Sequence, residues 1–344
     1  MFNKYLFAGK ACFLLVVGLL ASSSEASSGL AQRDQAGAGN GSGLTVIQLR
    51  PNFYLIAGAG GNIGVQTGNN GAVVVDSGAG ANVQAVIAAI KKIGPYPIRY
   101  LINTSGDADH VGGNAQVARS GETLLFNSAG AIQGPLTAGD TANSAAIMAQ
   151  ENVLLRMSAQ NGQVAAYPSA AWPTEDFPGP RKYFFLNGEG IEVLHQPAAH
   201  TDGDSIVFFR RSDVIMAGDI LDTTRFPVID LANGGSIDGE IAALNRLVDM
   251  AISSIPIVAR EDGTLIIAGH GRVCDQLDVV EYVDMITIIR DRISALIKAG
   301  KTLDQIKATN PTRGYTTRYG SNTGPWTTNQ FVEAVYRSLT KEKQ

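Results

Sequence analysis

The 344-residue chain contains only four histidines, and three of them close the same kind of segment. An apolar run gives way within a few residues to Asp or His from Tyr100-Leu101-Ile102 to Asp109-His110, from Val193-Leu194 to His200, and from Leu265-Ile266-Ile267 to His270. A fourth such segment, Val214-Ile215-Met216-Ala217-Gly218, leads to the carboxylate of Asp219. Short apolar runs of this kind read as buried strands, and loops at strand ends are where a rigid sheet can aim side chains at a common point. Any one segment is an ordinary strand with a polar end. Four together, using nearly all the imidazoles available, point to a metal site of imidazole and carboxylate, a donor set suited to zinc, iron or manganese.

The rest of the pattern predicts an α/β chain. Four β-prone runs separated by turns, Leu44–Leu49, Phe53–Ala57, Ile63–Gln66 and Ala72–Val75, suggest an antiparallel meander. Helical spacing in Val83, Val86, Ile87, Ile90 and Ile93 then leads into a strand at Arg99–Asn103. A second helix is expected across Ser144–Ala159, followed by a loop whose Pro168, Pro173, Pro178 and Pro180 argue against any regular element. Further strands are expected at Lys182–Leu186, Ile191–Gln196, Ser205–Arg210, Val214–Ala217 and Thr264–Ala268, with a helix over Ile237–Ile255 before the last. A long helix after Leu277 places Val279, Tyr282, Val283, Ile286, Ile289, Ile293 and Leu296 on one face. Capping boxes at Thr302/Gln305 and Thr327/Gln330 mark two more helices. Strand-rich runs in both halves, each with its own helices, suggest two sheets packed between helical layers.

Asn103-Thr104-Ser105-Gly106-Asp107-Ala108-Asp109-His110-Val111-Gly112-Gly113-Asn114 resembles the signature of the metallo-β-lactamase superfamily, in which His-x-His-x-Asp-His follows Asn-Thr and precedes Gly-Gly-Asn. Pro197-Ala198-Ala199-His200-Thr201-Asp202-Gly203-Asp204, Ala217-Gly218-Asp219 and Ala268-Gly269-His270-Gly271 match the later motifs in order. The resemblance implies an αββα sandwich with metals at the edge between the sheets. It implies one site of Asp109, His110 and His270, and another containing His200, with Asp219 bridging the two. The chain departs from the family at Ser105 and Asp107, which stand where the two histidines of His-x-His belong. The altered site keeps Asp107, His200 and Asp219, a set richer in oxygen that weakens zinc relative to harder metals. Zinc, as one or two ions, is the first expectation, with iron or manganese compatible.

The implied activity is hydrolysis. A metal-bound hydroxide attacks an ester, thioester, amide or lactam carbonyl of a small-molecule substrate, and Asp109 orients the nucleophile while remaining a ligand. The alternative is a metal- or ligand-binding protein of the same fold that has lost catalysis through Ser105 and Asp107. An iron-dependent oxidoreductase is a third reading, against which stands the lack of any flavin or rubredoxin-like segment. Ser105 as a nucleophile with His110 as its base lacks a Gly-x-Ser-x-Gly elbow. The pair Gly78 and Gly80 lacks the third glycine of a dinucleotide loop, since Val83 stands there. His195 falls inside an apolar strand and reads as a core or supporting residue, while Asp76 and Asp204 are placed to accept hydrogen bonds from ligand imidazoles. Trp172 and Trp326 read as packing, and the stretch from Ile132 to Ala170 is where substrate specificity is expected.

Residues 1–26 carry Lys4 and Lys10, an apolar run from Ala11 to Ala21, and small residues up to Ala26, the pattern of a cleaved signal peptide and hence an exported, periplasmic or extracellular, protein. The run is short of the roughly 20 residues needed to span a bilayer, so no stable membrane span is expected after cleavage. Residues 27–43 are small and polar and read as a flexible leader, followed, as the resemblance implies, by a metallo-β-lactamase-fold domain over 44–292 and a helical extension over 293–344 packed on it. Loss of Lys4, Lys10 and Glu25 leaves 25 basic and 30 acidic residues, a net charge near -5 that suggests no nucleic-acid partner. Only Cys274 remains after cleavage, which excludes an internal disulfide and a cysteine-rich zinc cage.

Overall fold

Side-chain alternation along the strands decides how the layers stack. The computed structural model describes residues 43–123, 143–158, 164–254 and 263–341, and the segments read above as signal peptide and most of the leader lie outside them. Strands β1 (Thr45–Arg50), β2 (Phe53–Ala59), β3 (Gly61–Gly68) and β4 (Gly71–Val75) form the expected antiparallel meander. Helix α1 (Val83–Ile93) crosses over to β5 (Ile98–Ile102), which runs parallel to β4. The short helices α2 (Ala108–Val111) and α3 (Asn114–Arg119) follow. Strand β6 (Ala146–Gln150), helix α4 (Glu151–Met157) and strand β7 (Glu175–Phe177) complete a seven-stranded sheet in the order β1 to β7.

The second sheet is built from β8 (Arg181–Leu186), β9 (Glu189–Gln196), β10 (Asp204–Phe209) and β11 (Val214–Asp222), all antiparallel neighbours. Helix α5 (Ile237–Met250) then leads to β12 (Leu265–His270), parallel to β11, and the two-residue β13 (Val273–Cys274) closes the six-stranded order β13-β12-β11-β10-β9-β8. Helices α6 (Gln276–Lys298), α7 (Leu303–Ala308), α8 (Thr316–Tyr319) and α9 (Thr328–Lys341) end the chain.

In β4, Val73 and Val75 enter a cluster between the sheets with Phe53, Met148, Val193, Phe209 and Met216, whereas Ala72 and Val74 pack toward α1. In the second sheet Ile215, Ala217, Ile266 and Ala268 face away from that cluster and meet Leu244 and Leu247 of α5 and Ile286 and Ile289 of α6. Strands buried on both faces read as continuous apolar runs, and the layers are helix, sheet, sheet, helix: an αββα sandwich. The apolar face expected on α6 is covered by this packing, with Phe331 and Val335 of α9 in the same cluster.

Three sequence expectations are corrected. The apolar stretch from Ser144 is not one helix: Ala146–Gln150 is β6, and the helix starts only at Glu151, where the Gln150 side chain accepts from the Asn152 amide at 2.5 Å. Ile147 packs on the α1 side and Met148 between the sheets, and such a two-sided burial cannot be told from a buried helix by periodicity alone. Between Pro173 and Pro178 a three-residue strand does form, at the sheet edge, where a missing amide costs no ladder bond. Helix α5 stops at Met250 rather than at Ile255, and Ala251 is already extended. Both C-terminal capping boxes are present, with reciprocal bonds between Thr302 and Gln305 and between Thr327 and Gln330.

Polar ties fix the two sheets against each other. Asn62 of β3 donates to the carbonyls of Ala268 and Gly271 at 2.9 and 3.1 Å, and the Ser205 amide of β10 donates to the Thr104 carbonyl at 2.8 Å. Elsewhere Arg50 reaches the carbonyls of Ser212 and Gly263. Phe53 and Phe209 meet edge-to-face between the sheets at 4.9 Å. Phe209→Ala is expected to cost about 3–5 kcal/mol of unfolding free energy, to be read from urea denaturation of the purified protein.

Candidate metal centre

Each predicted ligand leaves a strand at the same edge of the sandwich. Asp107 precedes α2, and Asp109 and His110 lie within it, just beyond β5. His200 sits in the connection from β9 to β10, Asp219 within β11 and His270 at the end of β12. The six residues come together as two sets, Asp109/His110/His270 and Asp107/His200/Asp219, and within each set the donor atoms lie within 4.8 Å of one another.

Asp219 joins the sets. Its Oδ1 lies 3.1 Å from His110 Nε2 and 3.3 Å from His270 Nε2, while its Oδ2 accepts from the Ser105 hydroxyl at 3.2 Å and stands 3.9 Å from His200 Nδ1. Asp109 Oδ2 is 3.2 Å from His270 Nε2, and Asp107 Oδ2 is 3.6 Å from His200 Nε2. Ser105 therefore contacts a carboxylate, and no imidazole accepts its proton. A nucleophilic serine is not what this geometry builds.

Asp76 holds His110. Its Oδ2 lies 2.8 Å from His110 Nδ1, and Thr104 donates to both of its oxygens, from the amide at 2.8 Å and from the hydroxyl at 2.7 Å. Asp76 adopts φ +63°, a left-handed conformation that costs a non-glycine residue energy and is kept where the surroundings enforce it. With Nδ1 engaged by Asp76, Nε2 is the nitrogen His110 presents to the cleft. Gly61 makes room there, since a Cβ on it would stand 3.1 Å from His110 Nε2. Asp204 plays the looser counterpart at His200 Nδ1, 3.6 Å away, while its own oxygens accept from the Thr201 amide and hydroxyl. At that distance the contact is an ion pair and not a hydrogen bond, and His200 Nδ1 is a buried atom with no hydrogen-bond partner among the described residues.

Charge follows from this crowding. Burial opposes protonation of His200, yet the carboxylates of Asp204, Asp219 and Asp107 outweigh it and bring its pKa to about 10. Burial likewise opposes protonation of His270, which Asp109 and Asp219 raise to about 9. Burial would raise Asp219, but His110, His270 and His200 hold it well below the ordinary carboxylate range. The hydrogen bond to His270 is what lowers Asp109, against its partial burial. Asp107 moves the other way, raised by burial more than His200 lowers it. Without metal, the site neutralises its three carboxylates with protons held on imidazole.

The residues fit a divalent ion. One set offers two nitrogens and one carboxylate, the other one nitrogen and two carboxylates, and none offers a thiolate. The cleft over them encloses about 40 Å³, room for an ion and its water, and Asp222, Arg225 and Val228 complete its lining. Sequence reading missed these three. Arg225 lies six residues beyond Asp219 on the same outgoing segment, and that proximity was the available signal. His195 stands apart as expected, its Nε2 2.7 Å from the Asp202 carbonyl. Trp172 packs partly buried, its indole N–H donating to the Tyr167 carbonyl, and Trp326 is partly buried against the C-terminal helices.

The sequence profile of the metallo-β-lactamase superfamily matches residues 56–270. The chain belongs to the metallo-β-lactamase superfamily. Its members are mostly hydrolases, which together with the fold supports a metal-dependent hydrolase in general terms. Among solved structures, the chain is similar to the inverting sec-alkylsulfatase Pisa1 from Pseudomonas sp., with a TM-score of 0.59 and 15% identity over 85% of this chain and 49% of that one. The chain thus spans about half the length of that relative. It is also similar to a metallo-β-lactamase from Pontibacter korlensis, with a TM-score of 0.51 and 16% identity over 71% of this chain and 99% of that one. None of the curated proteins matches the chain.

Two outcomes test the centre. Asp76→Asn should weaken metal binding about 10- to 100-fold, read by competition with a chromophoric chelator, because it loosens the imidazole that Asp76 fixes. The histidine pKa values of about 10 and about 9 lie above the ordinary 6.5, so the stability they contribute is complete below about pH 6.5 and is lost as pH rises through 9 to 10. The melting temperature of metal-free protein should fall across that window. Metal loading near pH 7.5 should release about two protons or more, measured by calorimetry in buffers of different ionisation enthalpy.

Proposed function

We propose that the chain is an exported metal-dependent hydrolase acting on an ester, thioester, amide or lactam of small size, with a tightly held ion at Asp109, His110 and His270 and a weaker one at Asp107, His200 and Asp219. The observation that carries this reading is the convergence of both sets on the single carboxylate of Asp219. Zinc suits the nitrogen-richer set, and iron or manganese becomes more competitive at the other. When bound, the metal brings a water ligand to a pKa near 7 and polarises the carbonyl under attack.

The side chains supply position. Asp109, partly exposed and 3.2 Å from His270, lines the cleft and would orient the attacking water while remaining a ligand. Asp76 and Thr104 fix the ring of His110, and Ser105 holds Asp219 by its second oxygen. The N-terminal pattern supports export, and the mature protein is read as a metallo-β-lactamase-fold domain over residues 44–292 with a helical extension over 293–344. No helix of the described residues is long and apolar enough to cross a membrane.

A second reading, a binding protein of the same fold without turnover, is favoured by Ser105 and Asp107 standing in place of two nitrogens. One experiment separates the two. Elemental analysis of wild type, His110→Ala and Asp107→Ala, with turnover of lactam, lactone, thioester and sec-alkyl sulfate substrates, should show the tightly held ion lost in His110→Ala and kept in Asp107→Ala. Activity should follow metal content, falling by at least about 100-fold in His110→Ala. Full metal content with no turnover on any substrate favours the binding protein.

A further inference from the structure

Strand β8 is the last of its sheet, with β9 on one side and no strand on the other among the described residues. The His195 amide donates to the Pro180 carbonyl at 3.0 Å, which sets the phase of the β8–β9 ladder. Antiparallel partners alternate between bonded and non-bonded pairs, so Lys182, Phe184 and Leu186 turn their backbone groups to Val193, Ile191 and Glu189 of β9. The Arg210 amide, donating to the Gly190 carbonyl, gives β9 the same phase from its other side. The amides and carbonyls of Arg181, Tyr183 and Phe185 therefore point out of the sheet edge.

The same three residues share the face turned away from the interlayer, since Phe184 and Leu186 pack between the sheets. Tyr183 and Phe185 are 66% and 75% exposed. Phe185 lies over Gly190, with ring atoms 3.3 and 3.6 Å from where a Cβ would stand, and Tyr183 is opposite Glu192, which Arg210 holds at 2.8 Å. Pro178 and Pro180 precede the strand and the Asn187-Gly188 turn ends it, so no proline or bulge blunts the edge between them. An open edge beside large apolar side chains is a template for another strand.

The sequence Arg181-Lys182-Tyr183-Phe184-Phe185 is complementary to itself in one register. With a two-fold axis at Tyr183, all three outward residues find bonded partners: Tyr183 meets Tyr183 of the other copy, and Arg181 meets Phe185. Each guanidinium then lies against an aromatic ring and not against its own copy. Centring the axis on Lys182 would oppose two lysines, and centring it on Phe184 would leave Arg181 facing the turn at Asn187. We propose that β8 is an interface between two copies of this chain, paired antiparallel about Tyr183 so that two six-stranded sheets become one. Such a contact is isologous and closes on itself, giving a dimer and no longer assembly.

Sedimentation equilibrium of the purified protein across the micromolar range tests this with wild type, Phe185→Arg, the double variant Phe185→Arg/Arg181→Glu, and Tyr183→Lys. Wild type should weigh twice the chain mass. Phe185→Arg opposes two arginines twice over and removes both ring contacts, and should weaken dimerisation about 30- to 1000-fold. Adding Arg181→Glu converts each clash into an opposite-charge pair and should recover at least about 10-fold of that loss, which restored solubility or apolar area alone would not do. Tyr183→Lys sits beside Glu192 in its own chain but opposes its copy across the axis, and should weaken the dimer about 10-fold. Circular dichroism checks that each variant is folded, and where Phe185→Arg is not, Tyr183→Lys decides. A wild type that stays monomeric, an assembly larger than a dimer, a dimer indifferent to the substitutions, or a loss in Phe185→Arg that Arg181→Glu fails to recover each overturns the proposal.

Discussion

Asp219 carries a negative charge into a nearly closed space between two sheets, and the centre is arranged around the need to satisfy it. Two imidazoles approach one of its oxygens, and a hydroxyl and a third imidazole approach the other. Those partners come from both sheets: His110 and Ser105 from the edge beyond β5, His200 and His270 from the edge of the second sheet. The sandwich must therefore hold its two halves in fixed register. Its apolar interlayer and the bonds of Asn62 and Ser205 across the sheets do so close to the centre.

The exchange of two histidines for Ser105 and Asp107 has a clear electrostatic meaning in this setting. A serine in the first position can donate to Asp219 but brings no positive charge, and Asp107 adds a further carboxylate beside His200. The altered half is thus shifted toward oxygen and negative charge, while the half built on Asp109, His110 and His270 keeps the donors the family pattern implies. Near His200, Glu240 is fully buried with both oxygens unpartnered among the described residues, and burial together with nearby Asp204 raises its pKa well above the ordinary range. Burial thus works against placing one more negative charge near the centre.

Much of this was legible in the residues because strands and their ends leave a strong signature. The meander, the strand preceding the Asp109–His110 turn, the long α6 helix and the capping boxes all follow from local pattern. Asp76 could be picked out as a support for a ligand imidazole because it ends a buried strand. Elements that failed to show were those whose state is set by neighbours. Ile147 and Met148 have helical companions in sequence but are strand residues because β5 and β7 flank them. The three residues of β7 form a strand only because β6 offers an edge. Arg225 carries no motif of its own, and its place beside the cleft depends on how the chain leaves β11.

Thr104 ties several of these relations into one. It donates twice to Asp76, its carbonyl accepts from Ser205 across the sheets, and its side chain presses on Gly218, where a Cβ would stand 2.5 Å from its hydroxyl oxygen. Gly218 also holds φ +56°, in the region that favours glycine. Positions 104 and 218 are consequently bound to a shared allowance of space. A methyl group added to the second sheet would be felt at His110 in the first, through Thr104 and Asp76, without touching a ligand. Shrinking Thr104 would make room at 218 but would not relieve the left-handed backbone there, so the glycine is held by space and by conformation at once.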